Sequence, residues 1–369
     1  MRRGAQAGFP RVPFVVALTL LAGSTTSNGI AGRTPIEMRR FSPARLAPRW
    51  ALRWAGTLSV DTSTMRFPFA PGVVWCLPFA FRLYISRKRP KSQRWKYVGI
   101  EHKTRPELAA EMLQKTAEWF PERVFHVLGD SAYGGKSILK PLPKGFHVTS
   151  RLPMDAALFA PPPAPSGRGR PRKRGARLQT PAQLAADRRK PWKNLRLVIY
   201  GKKRKVQVKE MVGLWESAGY RSIKVVVVRD PTGKVRDQAF FTTDTEVAAW
   251  DVLLRYSQRW SIEVAFENTK SHFGFEDPQN RIRKAVERTA PIAMVLYSLV
   301  IAWFAEHGYK KCRFPNRPWY TKKSTAAFTD ILTTLRKESM REYFLSTPEW
   351  TTGSRKIIRL FAEILRIPA

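Results

Sequence analysis

Regular patterning of apolar and polar positions begins near Val73. There VVWCLPFAFRLYIS is apolar and aromatic enough for a strand or a buried segment, and the basic loop RKRPKSQRWK follows it. From Thr104, RPELAAEMLQKTAEWF repeats its apolar positions with a helical period. Thr104 stands where an N-cap belongs, Glu107 occupies the capping-box position, and Pro121 stops the helix. VFHVLGD is a short, apolar strand ending in Asp130, and Gly134 and Gly135 in the next segment permit a tight turn. Phe146 to Leu152 reads as a further strand. The alternation predicts an α/β sheet.

The pattern breaks at PPPAPSGRGRPRKRGARLQTPAQ, a Pro-, Gly- and Arg-rich stretch with hardly an apolar side chain. Strand signals resume in NLRLVIYGKKRKVQVKEMVGLW and in RSIKVVVVRDPTGKVRDQAFFTTD, the second a hairpin turning at DPTG. Residues 158–245 thus form a basic, β-rich insertion, longer than an ordinary loop. It divides a core of residues 73–157 from its completion at 246–306. The completing part contains the helix in WDVLLRYSQRWSIEVAFENTKSHFGF and an apolar helix from Pro291 to Glu306. That second helix is short for a bilayer and ends in charge, so it is expected to be buried, with no membrane partner. Residues 307–369 form a helical tail, with a helix through STAAFTDILTTLRKESMREYF. Residues 1–72 are rich in Arg, Pro and Ala and show no sustained period; they are expected to be a poorly ordered basic arm or sequence foreign to the following domain. The arm opens like a secretory signal, with arginines and then the apolar run Phe14–Ala22, but export conflicts with the partner that the charge implies.

Lys and Arg number 66 against 28 Asp and Glu, for a formal net charge of +38 in 369 residues. A polyanion, nucleic acid first, is the matching partner, and binding should weaken steeply with salt. The only cysteines, Cys76 and Cys312, lie far apart and the histidines are scattered, which argues against a zinc site or a disulfide framework and fits a cytoplasmic, nucleoid-associated protein. Any metal would be held by oxygen ligands, meaning Mg2+ or Mn2+.

Candidate chemistry sits at two places. Asp130 ends an apolar strand, where α/β proteins put catalytic groups, although a strand-ending Asp that caps the next turn is equally ordinary. On one continuous helix, Tyr256, Arg259, Glu263 and Lys270 would fall within roughly 60° of a single face. An exposed Arg259–Glu263 ion pair is the plain alternative, but Trp260, Ile262, Val264, Phe266 and Phe273 imply a substantially buried helix, and a buried charge needs a partner or a metal. Glu267 is the rival carboxylate. Arg259 and Lys270 suit phosphate, and Tyr256 either bonds a phosphate oxygen or packs. Arg168, Arg170, Arg172, Lys173 and Arg174 in the insertion loop are expected to touch phosphates without reading sequence, or else to be solvated linker charge.

The spacing Y-x2-R-x3-E-x6-K, with GDSAYGG at Asp130 and a β-rich interval between, resembles the DDE-type insertion-sequence transposases that carry a β-strand insertion in an RNase H-like core. The likeness covers roughly residues 73–305. It implies an RNase H-like mixed sheet flanked by helices and two-metal phosphoryl transfer on double-stranded DNA, at transposon ends and target. Asp130 and Glu263 would be metal ligands, with Tyr256, Arg259 and Lys270 on the backbone near the cut. Homodimer assembly on DNA is left open. The family needs a first aspartate on the first core strand. Only Glu37 and Asp61 precede Trp75 as acids, and Asp61 is poorly placed, so the amino-terminal part reads as truncated or frame-shifted. A non-catalytic DNA-binding remnant of a transposase is therefore the alternative, and a basic RNA-binding protein a third reading that leaves the Glu263 stripe unexplained.

Overall fold

A computed structural model describes residues 14–18, 53–54, 75–84, 101–164, 171–199, 202–275, 277, 283–314, 323 and 325–346. The elements are β1 (Phe14–Leu18), β2 (Arg53–Trp54), β3 (Leu83–Tyr84), α1 (Arg105–Trp119), β4 (Phe125–Gly129), α2 (Lys136–Leu139), β5 (Phe146–Leu152), β6 (Leu158–Phe159), α3 (Pro181–Ala186), β7 (Lys193–Ile199), β8 (Lys202–Trp215), β9 (Arg221–Arg229), β10 (Gln238–Thr242), α4 (Ala249–Gln258), α5 (Ser261–Phe273), α6 (Arg283–Trp303) and α7 (Phe328–Ser346).

Eight strands form one mixed sheet in the order β1-β4-β5-β10-β9-β8-β6, with β7 also on β8. β1, β4 and β5 run parallel, whereas β10, β9, β8, β7 and β6 pair antiparallel. The antiparallel strands β6 to β10 all fall within residues 158–245, and the hairpin β9–β10 turns where DPTG stands: Thr232 Oγ1 donates to Asp230 at 2.7 Å and Gly233 takes φ +70°. At the start of α1, Thr104 N donates to Glu107 Oε2 at 2.6 Å and the capping box closes as its spacing predicts.

Each face of the sheet has its own layer. Phe125, Val127, Phe146, Val148, Val225, Val227 and Phe241 pack beneath α1 and α2. On the other face Val208, Val226 and Phe240 meet Ala249, Val252 and Leu253 of α4. A third cluster joins α5, α6 and α7 to Trp75 and Cys76, so the stretch after Val73 is a buried segment with only the short β3 at its end.

Two expectations need correction. The apolar helix α6 begins at Arg283, carries Pro291 inside it, and is buried on one side only. Ala293, Met294, Tyr297, Ile301 and Phe304 face the core, while Ile292, Val295, Leu296 and Leu299 are exposed. Residues 287–311 are also long and apolar enough to cross a membrane, although the buried side packs against α5 and α7 as a core helix does. The stripe bearing Tyr256 and Glu263 is likewise not one helix. Arg259 N bonds Tyr256 O at 3.2 Å and Trp260 N bonds Ser257 O at 3.3 Å, a tightened 3₁₀ turn between α4 and α5.

Candidate active site

β4 is buried along its whole length, so an ionised side chain can stand only at its end. Asp130 stands there, half-buried, and its Oδ1 accepts the amide of Ala132 at 2.9 Å, capping the 3₁₀ turn Ser131–Tyr133. The turn lies tight against the sheet: a Cβ on Gly129 would come 2.8 Å from the Cβ of Tyr133. Gly134 keeps an ordinary φ of −87°, but a Cβ there would meet Ser150 Oγ at 2.9 Å and the Phe241 ring at 3.0 Å. That glycine serves close packing rather than an unusual dihedral. Ser150 Oγ donates to the Asp130 carbonyl at 2.8 Å, tying the strand end to β5.

Side chains alternate across a strand, so His126 and Asp130 share the face that α4 covers. Tyr256 projects from α4 onto this face, its ring 4.7 Å from that of Phe240. Burial raises the Tyr256 pKa, against which Arg259 and Arg151 act, while Asp130 pushes the same way as burial. The Arg259 guanidinium lies 5.8 Å over the Tyr256 ring and reaches the Glu263 carboxylate at 2.7 Å. Glu263 lies in the first turn of α5, where the helix dipole favours an anion. Its partner is only 15% exposed, so this is no ordinary surface pair. Asp130, Tyr256, Arg259 and Glu263 thus form one electrostatically connected row across β4, α4 and α5.

The register adds a residue that linear spacing hides. Leu128 pairs with Thr149 in the parallel β4–β5 ladder, and continuing that ladder brings Arg151 level with Asp130. Arg151 is exposed, acts on Tyr256, and bonds Gln238 at 2.6 Å. Deeper on the same face, Arg255 of α4 lies 2.9 Å from His126 Nδ1 and 3.6 Å from Asp244. A guanidinium can only donate, so Nδ1 must carry the lone pair and His126 must be neutral. Burial, and then Arg255, hold its pKa down to about 4. Its ring stacks on His147 at 5.4 Å. This buried group fastens the strand of Asp130 to the helix of Tyr256.

The family model for the transposase DDE domain matches residues 101–299, more than half of the chain. The chain belongs to this transposase family. No curated protein matches it. The matched span takes in β4, the whole antiparallel insertion, α4 and α5, so every residue of the connected row lies within the transposase domain.

Within that domain, Lys270 is exposed in the last turn of α5, and Glu267 is exposed too, which leaves Glu263 the better-held carboxylate. Trp260 is 50% exposed, contrary to the buried helix expected, whereas Ile262 and Phe266 are buried. In the insertion loop Arg172 and Lys173 are exposed. Arg174 instead lies 4.2 Å over the Phe159 ring and bonds Glu216 at 3.0 Å, so part of its charge is already matched within the protein. Arg168, Arg170 and Asp61 lie outside the described residues. Among the described residues, no three His, Cys, Asp or Glu side chains gather as a metal cluster.

Proposed function

We propose that this transposase binds double-stranded DNA, at transposon ends and target, and that Asp130 and Glu263 are its metal-binding carboxylates. The observation that carries the reading is the row itself: a strand-end carboxylate and a helix-start carboxylate joined through Tyr256 and Arg259, with Arg151 beside the first. The donors suit a hard divalent ion, Mg2+ or Mn2+. Asp130 has Oδ2 and Glu263 has Oε2 outside any hydrogen bond among the described residues. Divalent ions bound there would supply an activated nucleophile and a stabilised leaving oxygen. Arg259, Lys270 and Arg151 would hold the backbone phosphates on either side of the cut, and Tyr256 would orient Arg259. The reaction class is in-line attack by water on a DNA phosphate, which breaks the P–O3′ bond and frees a 3′-hydroxyl. That hydroxyl then attacks a target phosphate, forming a new P–O3′ bond as the target's own P–O3′ bond breaks and its 3′-hydroxyl leaves.

Two carboxylates are fewer than two ions need to fix their separation. The second reading, a DNA-binding chain that cleaves poorly, rests on the lack of a third acid beside the pair among the described residues. Asp61 is the fallback ligand. The test incubates the purified chain with Mn2+ or Mg2+ and DNA carrying element ends, and follows both strand cleavage and Mn2+ relaxation of water protons. We expect Mn2+ binding that Asp130→Asn and Glu263→Gln each abolish, with cleavage weak or absent. Robust cleavage lost in both Glu263→Gln and Asp61→Asn would make Asp61 the third ligand. Mn2+ binding indifferent to both Asp130 and Glu263 would refute the metal assignment.

A further inference from the structure

From Arg188 to Lys209 the insertion carries ten Lys and Arg and no acid. Most of that charge lies on the β7–β8 ribbon, whose register sets Arg196 opposite Lys205, Val198 opposite Lys203, and Leu197 opposite Arg204. Residues paired across a ladder project on the same face, and like charges placed directly opposite are unfavourable. The ribbon therefore has Arg196, Lys203 and Lys205 on one face and Lys202 and Arg204 on the other. All five are exposed, and among the described residues none has a carboxylate partner. Other cations of the insertion do find acids: Lys193, at the start of β7, and Lys224 bond Glu210 at 3.3 and 3.0 Å, and Arg229 grips Asp237 at 2.6 Å. The root of the ribbon is anchored, because Leu195, Leu197 and Val206 pack into the cluster that contains Val252 and Tyr256 of α4.

We propose that the β7–β8 ribbon is a groove-binding arm for duplex DNA, seated in the major groove beside the candidate active site. Past the α4 contact the end of the ribbon has both faces open, and the cations there match a polyanion that surrounds it. A phosphate backbone lying along one side would need only one charged face. A major groove about 12 Å wide admits a two-stranded ribbon and lines it with phosphates on both walls. The arm springs from the same packing cluster as Tyr256, so duplex held on the ribbon continues toward Asp130 and Glu263. The inference rests on the DNA reading above and deepens it.

The test compares the full chain with two exposed-face variants, Arg196→Gln/Lys203→Gln/Lys205→Gln and Lys202→Gln/Arg204→Gln, in salt-titrated binding to a short duplex. Each lost phosphate contact should make the log–log salt slope shallower by about 0.9, so the first variant should lose about 2.7 and the second about 1.8. Affinity at about 0.1 M salt should drop at least tenfold in both. Guanine N7 atoms protected from methylation by the wild-type chain should become reactive in both. Unfolding midpoints should stay put, because these side chains are solvated. Loss in one variant alone would overturn groove insertion. If the wild-type chain binds steeply and both variants match it, the ribbon assignment fails while the DNA reading stands. If the wild-type chain does not bind duplex, both fall.

Discussion

The two faces of one sheet have been built to different ends. Under α1 and α2 the side chains of β4, β5, β9 and β10 are almost uniformly apolar, and Phe125, Val127, Val148 and Phe241 are at most 5% exposed. Under α4 the same strands present His126, His147, Thr149, Arg151 and Lys224. An apolar face supports the fold by burial and tolerates any partner of the right volume. The polar face must pair each group it buries, so it fixes relative positions instead. One face gives cohesion and the other sets distances, and the candidate site lies on the second.

The sharpest way to break that division is to cut into the apolar face. Phe241→Ala should lower unfolding free energy by about 3–5 kcal/mol, measured by denaturant titration. Phe241 is fully buried, with its ring 5.1 Å from that of Trp215. Molecules that remain folded should bind DNA with unchanged salt slope. A changed slope would mean the two faces are not separable.

His126 supplies a somewhat smaller effect. Its folded pKa of about 4 lies below the ordinary 6.5, so between these values the unfolded chain binds the proton and the folded one does not. Stability is complete above about pH 6.5 and falls by about 3 kcal/mol as pH drops to about 4. His126→Asn keeps an acceptor for Arg255 without titrating, and should flatten the stability–pH curve in that window. An unchanged curve would place the titrating group elsewhere.

Smallest of all should be the stability effect of Glu263→Gln, below about 1 kcal/mol, because the carboxylate is 36% exposed and water screens its pair with Arg259. The same variant should abolish Mn2+ binding. A large loss of stability with metal binding intact would turn the Arg259–Glu263 pair into a structural tie and move it to the cohesive side of the comparison.

How far the sequence could be read follows the range of the interactions. The Thr104–Glu107 box and the DPTG turn are local chemistry, so spacing alone identifies them. Asp130 was legible because a charge cannot interrupt a buried strand and must sit at its end. The break between α4 and α5 was not, since Arg259 (φ −52°) and Trp260 (φ −58°) stay in the helical region and only their hydrogen-bond partners move from the i−4 to the i−3 carbonyl. Arg151 and Arg255 were missed because a ladder register and a helix docking bring them to Asp130 and His126. A period-2 reading of FHVTSRL would have put His147, Thr149 and Arg151 on one face, which was the available signal. The Arg174–Glu216 pair was hidden for a similar reason: Glu216 lies 42 positions downstream.

Lys209 has a bearing on how this chain behaves in a crowded solution. β6 pairs with β8 at Leu214 and Trp215, and β7 pairs with it from Lys202 to Val208, so neither strand covers the stretch between. An uncovered strand edge is a template on which another chain can add, and the usual outcome is aggregation. Here that stretch begins with a lysine turned inward, 4% exposed, whose ammonium donates to the carbonyls of Leu184, Ala185 and Asp187 at 3.0, 3.2 and 2.6 Å. The bonds bind α3 and its flanking loop to β8, and at the far end Leu178 closes to 2.9 Å of a Cβ built on Gly213. An incoming strand would have to expel that cover and leave a buried ammonium without acceptors. A lysine pointing the wrong way for its charge thus helps to close this strand edge to sheet-to-sheet pairing.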